Sequence, residues 1–178
     1  MLEFPLVSDP NNTNLYNVKI IENKSENGNY KMLVDSGASI PVWVDGLETF
    51  LFYFPEASQM DKKAYVGGFG GPGEYVDVYT IPIFSFSDGT ESLHYLDLPV
   101  AVTDRDYSFQ MIASFTMLNK LNYSYLSFDS DAEEGFQCPV FRLFFKKNEY
   151  RSMPLFTVLK DKDGHDHKLV NGLNVFTQ

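Results

Sequence analysis

The sequence predicts a mainly β domain, a closed or sandwich-like barrel carrying one or two short helices. Three observations lead there. Aromatic residues fill 16% of the 178 positions, with 16 Phe and 11 Tyr, and aromatic side chains suit a pleated, half-buried surface. The apolar segments are short and separated by turn signals at Asn27-Gly28, Ser87-Asp88-Gly89-Thr90 and Asp161-Lys162-Asp163-Gly164. Helical spacing appears only briefly, at Leu47, Phe50, Leu51 and Phe54 and again at Met117, Leu118 and Leu121. Many short strands punctuated in this way are the pattern of a barrel or sandwich.

Taken in order, Tyr16 to Ile21 reads as a strand, and the polar stretch to Asn29 holds the Asn27-Gly28 hairpin signal. Tyr30 to Val34 returns as an apolar strand and runs into the small residues of Asp35-Ser36-Gly37-Ala38-Ser39. Ile40 to Val44 resumes as a strand. Gly46 to Phe54 reads as a short helix stopped by Pro55. Lys63 to Val66 and Glu74 to Phe86 read as strands around Gly67-Gly68-Phe69-Gly70-Gly71-Pro72-Gly73, with five glycines in seven residues. Leu93 to Val102 follows, with Pro99 limiting its pairing. Phe109 to Leu121 begins as a strand and turns helical. Tyr123 to Phe128 alternates as a strand, Asp129 to Gly135 is an acidic loop, and Phe141 to Gln178 reads as three or four strands. No internal repeat or linker divides the chain. Residues 1–128 are expected to form the main domain, with 129–178 a β extension packed on it.

Composition narrows the partners. The formal net charge is −10, and the 14 Lys and Arg are scattered; phosphate binding needs them clustered, so nucleic acid is not an expected partner. No apolar run approaches the ~20 residues that span a bilayer, and no basic-then-apolar leader is visible at Met1 to Pro5. The single cysteine, Cys138, allows no intrachain disulfide and suits a reducing, cytoplasmic setting.

Asp35 carries the chemical interest. A carboxylate at the end of the apolar run Met32-Leu33-Val34 is costly unless hydrogen-bonded. Ser36 and the main-chain N–H groups around Gly37 and Ala38 offer such partners. Asp-Ser-Gly alone also describes an ordinary Asx-type turn. Its context is more specific: hairpin, apolar strand, Asp35-Ser36-Gly37-Ala38, strand, glycine-rich hairpin, then Met111-Ile112-Ala113 leading into Ser114 to Leu121. This order resembles the retropepsin-like aspartic proteases over roughly Tyr16 to Phe128. The active-site motif matches throughout Met32 to Ser39. In the second motif, two apolar residues followed by Gly, Ala113 stands in the glycine place. The helix at Leu47 to Phe54 looks like an insertion relative to compact viral members, and in that respect the chain resembles bacterial relatives.

The resemblance implies a closed retropepsin-like barrel and a homodimer whose two-fold axis brings Asp35 together with its own copy. Two carboxylates about 3 Å apart share one proton and titrate as a unit. The ionised one acts as general base on a bound water, and the protonated one polarises the scissile carbonyl. Ser36 is implied to hold the two loops together, and Gly37 and Ala38 to leave main-chain groups open to a peptide substrate. Gly67, Gly68, Phe69, Gly70 and Gly71 are implied to form a flap that admits substrate and excludes water. No cofactor and no metal is implied. An inactive binding or assembly domain of the same fold is the alternative.

Other residues read as structure. His165-Asp166-His167 has no further ligand nearby to complete a metal site. Asp161, Asp163 and Gly164 fall short of a calcium loop. Cys138 lacks a basic neighbour to lower its pKa. Trp43 reads as core. Asp129 to Glu134 reads as a solvated acidic loop.

Overall fold

The computed structural model describes residues 2–6, 20–35, 37–67, 72–118, 123–128, 139–144, 150–152, 157–160, 166–170 and 173–176. Its main sheet holds β2 (Ile20–Ser25), β3 (Gly28–Asp35), β4 (Val42–Trp43), β5 (Ser58–Val66), β6 (Glu74–Ser87), β7 (Ser92–Val102) and β8 (Met111–Ser114), in the order β2-β3-β8-β4-β7-β6-β5. A second sheet stacks β1 (Leu2–Pro5), β10 (Pro139–Phe144) and β9 (Tyr123–Phe128), with β10 in the middle. The short β11 (Tyr150–Ser152) lies parallel to β7 at His94 to Leu96. β12 (Thr157–Lys160), β13 (Asp166–Val170) and β14 (Leu173–Phe176) form an antiparallel meander.

Most expected elements are present. The β2–β3 hairpin turns at Glu26 and Asn27, and Gly28 takes φ +111°, a conformation that favours glycine. Helix α1 (Gly46–Tyr53) ends where Pro55 requires, and α2 (Phe115–Leu118) follows β8 directly. Four elements depart from expectation. β2 runs on to Ser25, through residues expected as polar turn, and Tyr16 to Lys19 lie outside the described residues. β1 was not anticipated. β5 begins at Ser58 rather than Lys63, with a bulge between Gln59 and Lys63. From Pro139 on, the described residues form five strands, β10 to β14, where three or four were expected over Phe141 to Gln178.

The continuous apolar runs have a clear cause. In β3, Met32 faces one core and Leu33 the other; in β8, Met111 and Ala113 face the first and Ile112 the second. These strands are covered on both sides, so they read as unbroken runs rather than alternations. The first core centres on Trp43, which is fully buried. Its indole lies 5.4 Å from the Tyr30 ring, 6.0 Å from Phe50, 5.4 Å from Tyr53 and 5.7 Å from Phe54. Such aromatic pairs add about 0.5–1.5 kcal/mol each beyond area burial. The helix is therefore held by its aromatic face, and its indole donor is satisfied by Thr49 Oγ1 at 3.1 Å. Asn27 Nδ2 donates to the carbonyls of Phe52 and Tyr53 at 3.1 and 3.0 Å, which caps the helix end from the neighbouring hairpin.

The expected closed barrel does not form among the described residues. β5 pairs with β6 only up to Thr80, and β6 continues for seven further residues to Ser87. β2, at the opposite end of the sheet, approaches that second half of β6. It does so without a ladder. The buried side chain of Asn23 spans the gap, donating to Ser85 O at 3.1 Å and accepting from Ser87 N at 2.8 Å. The same amide donates to the Tyr30 hydroxyl at 2.7 Å. A primary amide here does the work of one main-chain link.

Asn23→Ala leaves the Ser85 carbonyl, the Ser87 N–H and the Tyr30 hydroxyl without this partner. The expected cost is about 1–3 kcal/mol, read as a lower urea midpoint. Asp88 supplies a pH test. Burial raises its pKa, but the N–H groups of Glu91, Glu3 and Thr90 outweigh burial and hold it below the ordinary value. A depressed native pKa contributes stability above the unfolded value and loses it as pH falls through the native one. Denaturation midpoints should therefore drop as pH falls below about 3.8, and Asp88→Asn should shrink that drop.

Candidate functional site

Asp35 is the last residue of β3 and lies half-buried. It stands in parallel register with Ser114, the last residue of β8, one step beyond the pair Val34 and Ala113. β8 separates β3 from β4: the chain leaves β3 at Asp35, passes the end of β8 and returns antiparallel beside it, with Val42 opposite Ile112 and Trp43 opposite Met111. The Asp35 loop is the crossing. Small residues suit it because the turn is tight. Gly37 N donates to Asp35 Oδ1 at 2.8 Å and Ala38 N to Asp35 O at 3.2 Å. A Cβ on Gly37 would stand 3.1 Å from the same carboxylate oxygen, so this position favours glycine. Among the described residues Asp35 makes no ion pair. One oxygen is thus held by its own loop, and the carboxylate stays partly open at the rim of an apolar core.

The second motif lies against it. Met111, Ile112 and Ala113 are all buried. The methyl of Ala113 is accommodated within the first core. Behind it sits a pair that sequence reasoning did not single out. Ser114 Oγ and Thr116 Oγ1 are 2.7 Å apart and both residues are fully buried. Two isolated hydroxyls carry no sequence signature, and only the strand-to-helix step at Ser114 and Phe115 brings them together. Tyr95 adds to this floor by donating to Met117 O at 2.6 Å.

The glycine-rich segment joins β5 to β6 as the tip of an antiparallel hairpin whose last pair is Val66 with Glu74. Gly68, Phe69, Gly70 and Gly71 lie outside the described residues, as does Ser36. A Cβ on Gly73 would meet the ring of Tyr65, so a larger residue there would have to displace that exposed side chain. The hairpin base is tied down: Glu74 Oε1 accepts from Thr103 Oγ1 at 2.9 Å and from Arg105 at 2.6 Å. The Thr103 hydroxyl first and the Arg105 guanidinium second hold the Glu74 carboxyl below its usual range. Thr103 N donates to Trp43 O at 2.9 Å and Arg105 N to Val44 O at 2.7 Å, so the segment clamping the hairpin also holds the strand that follows the Asp35 loop.

Trp43 is core, as expected. Cys138, Asp129 to Glu134, Asp161 to Gly164 and His165 lie outside the described residues. Among the described residues no group of three or more His, Cys, Asp or Glu could hold a metal ion, and no helix is long and apolar enough to cross a membrane.

Comparison with known proteins adds little. No family model matches the chain, and no curated protein matches it. Among solved structures, a retropepsin-like aspartic protease from Rickettsia conorii aligns over 80% of this chain and 90% of its own, with a TM-score of 0.46 and 13% identity. A likeness of that size carries no argument, and the reading below rests on residues and contacts.

The buried hydroxyl pair gives a test of the floor. Ser114→Ala strands the Thr116 hydroxyl in an apolar setting and should lower stability by about 1–3 kcal/mol. Ser114→Ala with Thr116→Val removes both partners and should recover part of that loss in the same urea titration.

Proposed function

We propose that the chain is an aspartic endopeptidase in which Asp35 is one carboxylate of a pair, completed by Asp35 of a second copy across a two-fold axis. The observation that carries the reading is the placement of Asp35. It ends a strand buried on both faces, at the point where the chain crosses the end of β8, with one oxygen fixed by Gly37 N and no ion pair among the described residues. The bond from Gly37 N is also that of an Asx-type turn, so the assignment rests on where that turn sits in the sheet. The match of Met32 to Ser39 to the retropepsin motif supports the same assignment.

Chemistry needs the pair. The described Asp-Gly steps at Asp45-Gly46 and Asp88-Gly89 serve a helix start and a turn, respectively. The second carboxylate is therefore assigned to another copy of the chain. Held close, the two share a proton. The ionised member takes a proton from a water between them as that water attacks the peptide carbonyl. The protonated member donates to the carbonyl oxygen as negative charge grows there. The hairpin of Gly67 to Gly73 would cover the substrate, with Glu74, Thr103 and Arg105 anchoring its base. A second reading, a binding domain of the same fold without activity, is favoured by one observation: Ala113 in the glycine place of the second motif.

Asp35→Asn keeps the shape and the hydrogen bond from Gly37 but removes the base. Cleavage of a peptide library, assayed between about pH 3 and pH 7 to bracket the pair's titration, should fall by at least about a hundredfold while the denaturation midpoint holds. Undiminished cleavage by Asp35→Asn would sink the assignment. A wild-type chain that dimerises but cleaves nothing would leave the binding reading.

A further inference from the structure

We infer that the seam in the main sheet is a docking site for an extended, basic peptide strand of another polypeptide. The seam is the place where the barrel fails to close. β5 leaves β6 after the Ser58 and Thr80 pair, and Asn23 takes β6 up again at Ser85 and Ser87. Beside that interval lies a groove of about 690 Å³, lined by Lys24 to Asn27, Tyr53 to Ala57, Ile81, Ile83 and Ser85.

The main chain says what fits it. In an antiparallel ladder each residue turns its N–H and C=O to the same side, and successive residues alternate. Ser85 O and Ser87 N face Asn23, away from β7. Ile83, two residues earlier, faces the same way. Pro82 belongs to the alternate set that faces β7, so its missing N–H does not blunt the outer edge. Among the described residues no hydrogen bond reaches the N–H or C=O of Ile83 on that side. Its side chain is 56% exposed, an unusual state for a large aliphatic residue inside a fourteen-residue strand. Proteins ordinarily cover, charge or bulge such an edge. An added strand satisfies both main-chain groups and covers the side chain.

Charge selects the kind of strand. Glu26 and Glu56 stand exposed in the lining of the groove against one exposed cation there, Lys24, and the whole chain carries a net −10. A second copy of the chain would bring the same negative charge and meets repulsion. A peptide with a β-branched residue opposite Ile83 and Lys or Arg on its flanks meets complementary groups. The floor is aromatic, Tyr30 with Tyr53 at 5.1 Å. Its polar wall is Ser85 with His94, whose Oγ and Nδ1 are 3.0 Å apart. This site is separate from Asp35 and does not depend on peptidase activity.

The test uses the full chain and a fluorescein-labelled Lys-Thr-Val-Thr-Lys peptide, read by anisotropy and by amide NMR. Binding is expected with shifts centred on Ile81 to Ser85 and slowed exchange of the Ile83 amide. N-methylation of the central Val, whose N–H would pair with Ile83, should weaken binding about tenfold, the loss of one such hydrogen bond. N-methylation of either Thr should not. Glu26→Lys with Glu56→Lys, both exposed, should weaken binding with the fold intact. Equal loss from every N-methyl group, shifts centred on Asp35 to Ala38, absence of binding, or occupation of the edge by a second copy of the chain would each overturn the inference.

Discussion

The arrangement on which the rest depends is the insertion of β8 between β3 and β4. Two strands consecutive in sequence are held apart by a third that arrives some seventy residues later, Met111 to Ser114. Their connection must then cross the end of the intruder. Everything notable about the Asp35 loop follows from that requirement: small residues, a turn closed by Gly37 N and Ala38 N, and a carboxylate delivered to the rim of two cores. The same insertion buries β3, β4 and β8 on both faces, which demands Met32-Leu33-Val34 and Met111-Ile112-Ala113 as unbroken apolar runs.

The parts legible in the sequence were those whose cause is local. α1 shows its aromatic spacing and its stop at Pro55. β6 and β7 are long and bracketed by turn chemistry around Asp88-Gly89. Asp35 sits in a compact motif. The parts that stayed hidden have distant causes. Leu2 to Pro5 is too short to announce itself and becomes a strand only because Val140 to Leu143 lies opposite. The first half of β5, Ser58-Gln59-Met60-Asp61-Lys62, shows no period-two pattern, and its pairing with Gln59 opposite Tyr79 is imposed by β6. Asn23 falls in a segment that reads as polar turn, and only the approach of β6 turns it into a buried link. Ser114 and Thr116 are the same case within the candidate site.

The expectation of closure failed for an instructive reason. A barrel closes when its first and last strands share a ladder. Here β5 claims the first half of β6 and then stops, while β2 reaches only the far half, leaving one interval served by neither. The segment after α1 lines the groove beside that interval. Tyr53 ties them to the β2–β3 hairpin by donating to Asn29 O at 3.1 Å, and Asn27 replies from the other side. A helix that looks like an insertion in the sequence is thus fixed to the β2–β3 hairpin beside the seam.

Side-chain links of this kind differ from a ladder in what they permit. A ladder of several main-chain bonds opens as a unit, whereas the Asn23 link rests on one residue whose loss costs a few kcal/mol at most. The sheet is therefore held by main-chain ladders through β3, β8, β4 and β7, where Asp35 is carried, and by one side chain between β2 and β6. On the proposed reading of Asp35, its carboxylate needs the first kind of support, since a displacement of about 1 Å is enough to cost rate. An edge that receives a partner needs the second. The fold places the two at different points of one sheet. The seam can then respond to an added strand while the double-buried strands keep the Asp35 loop in position.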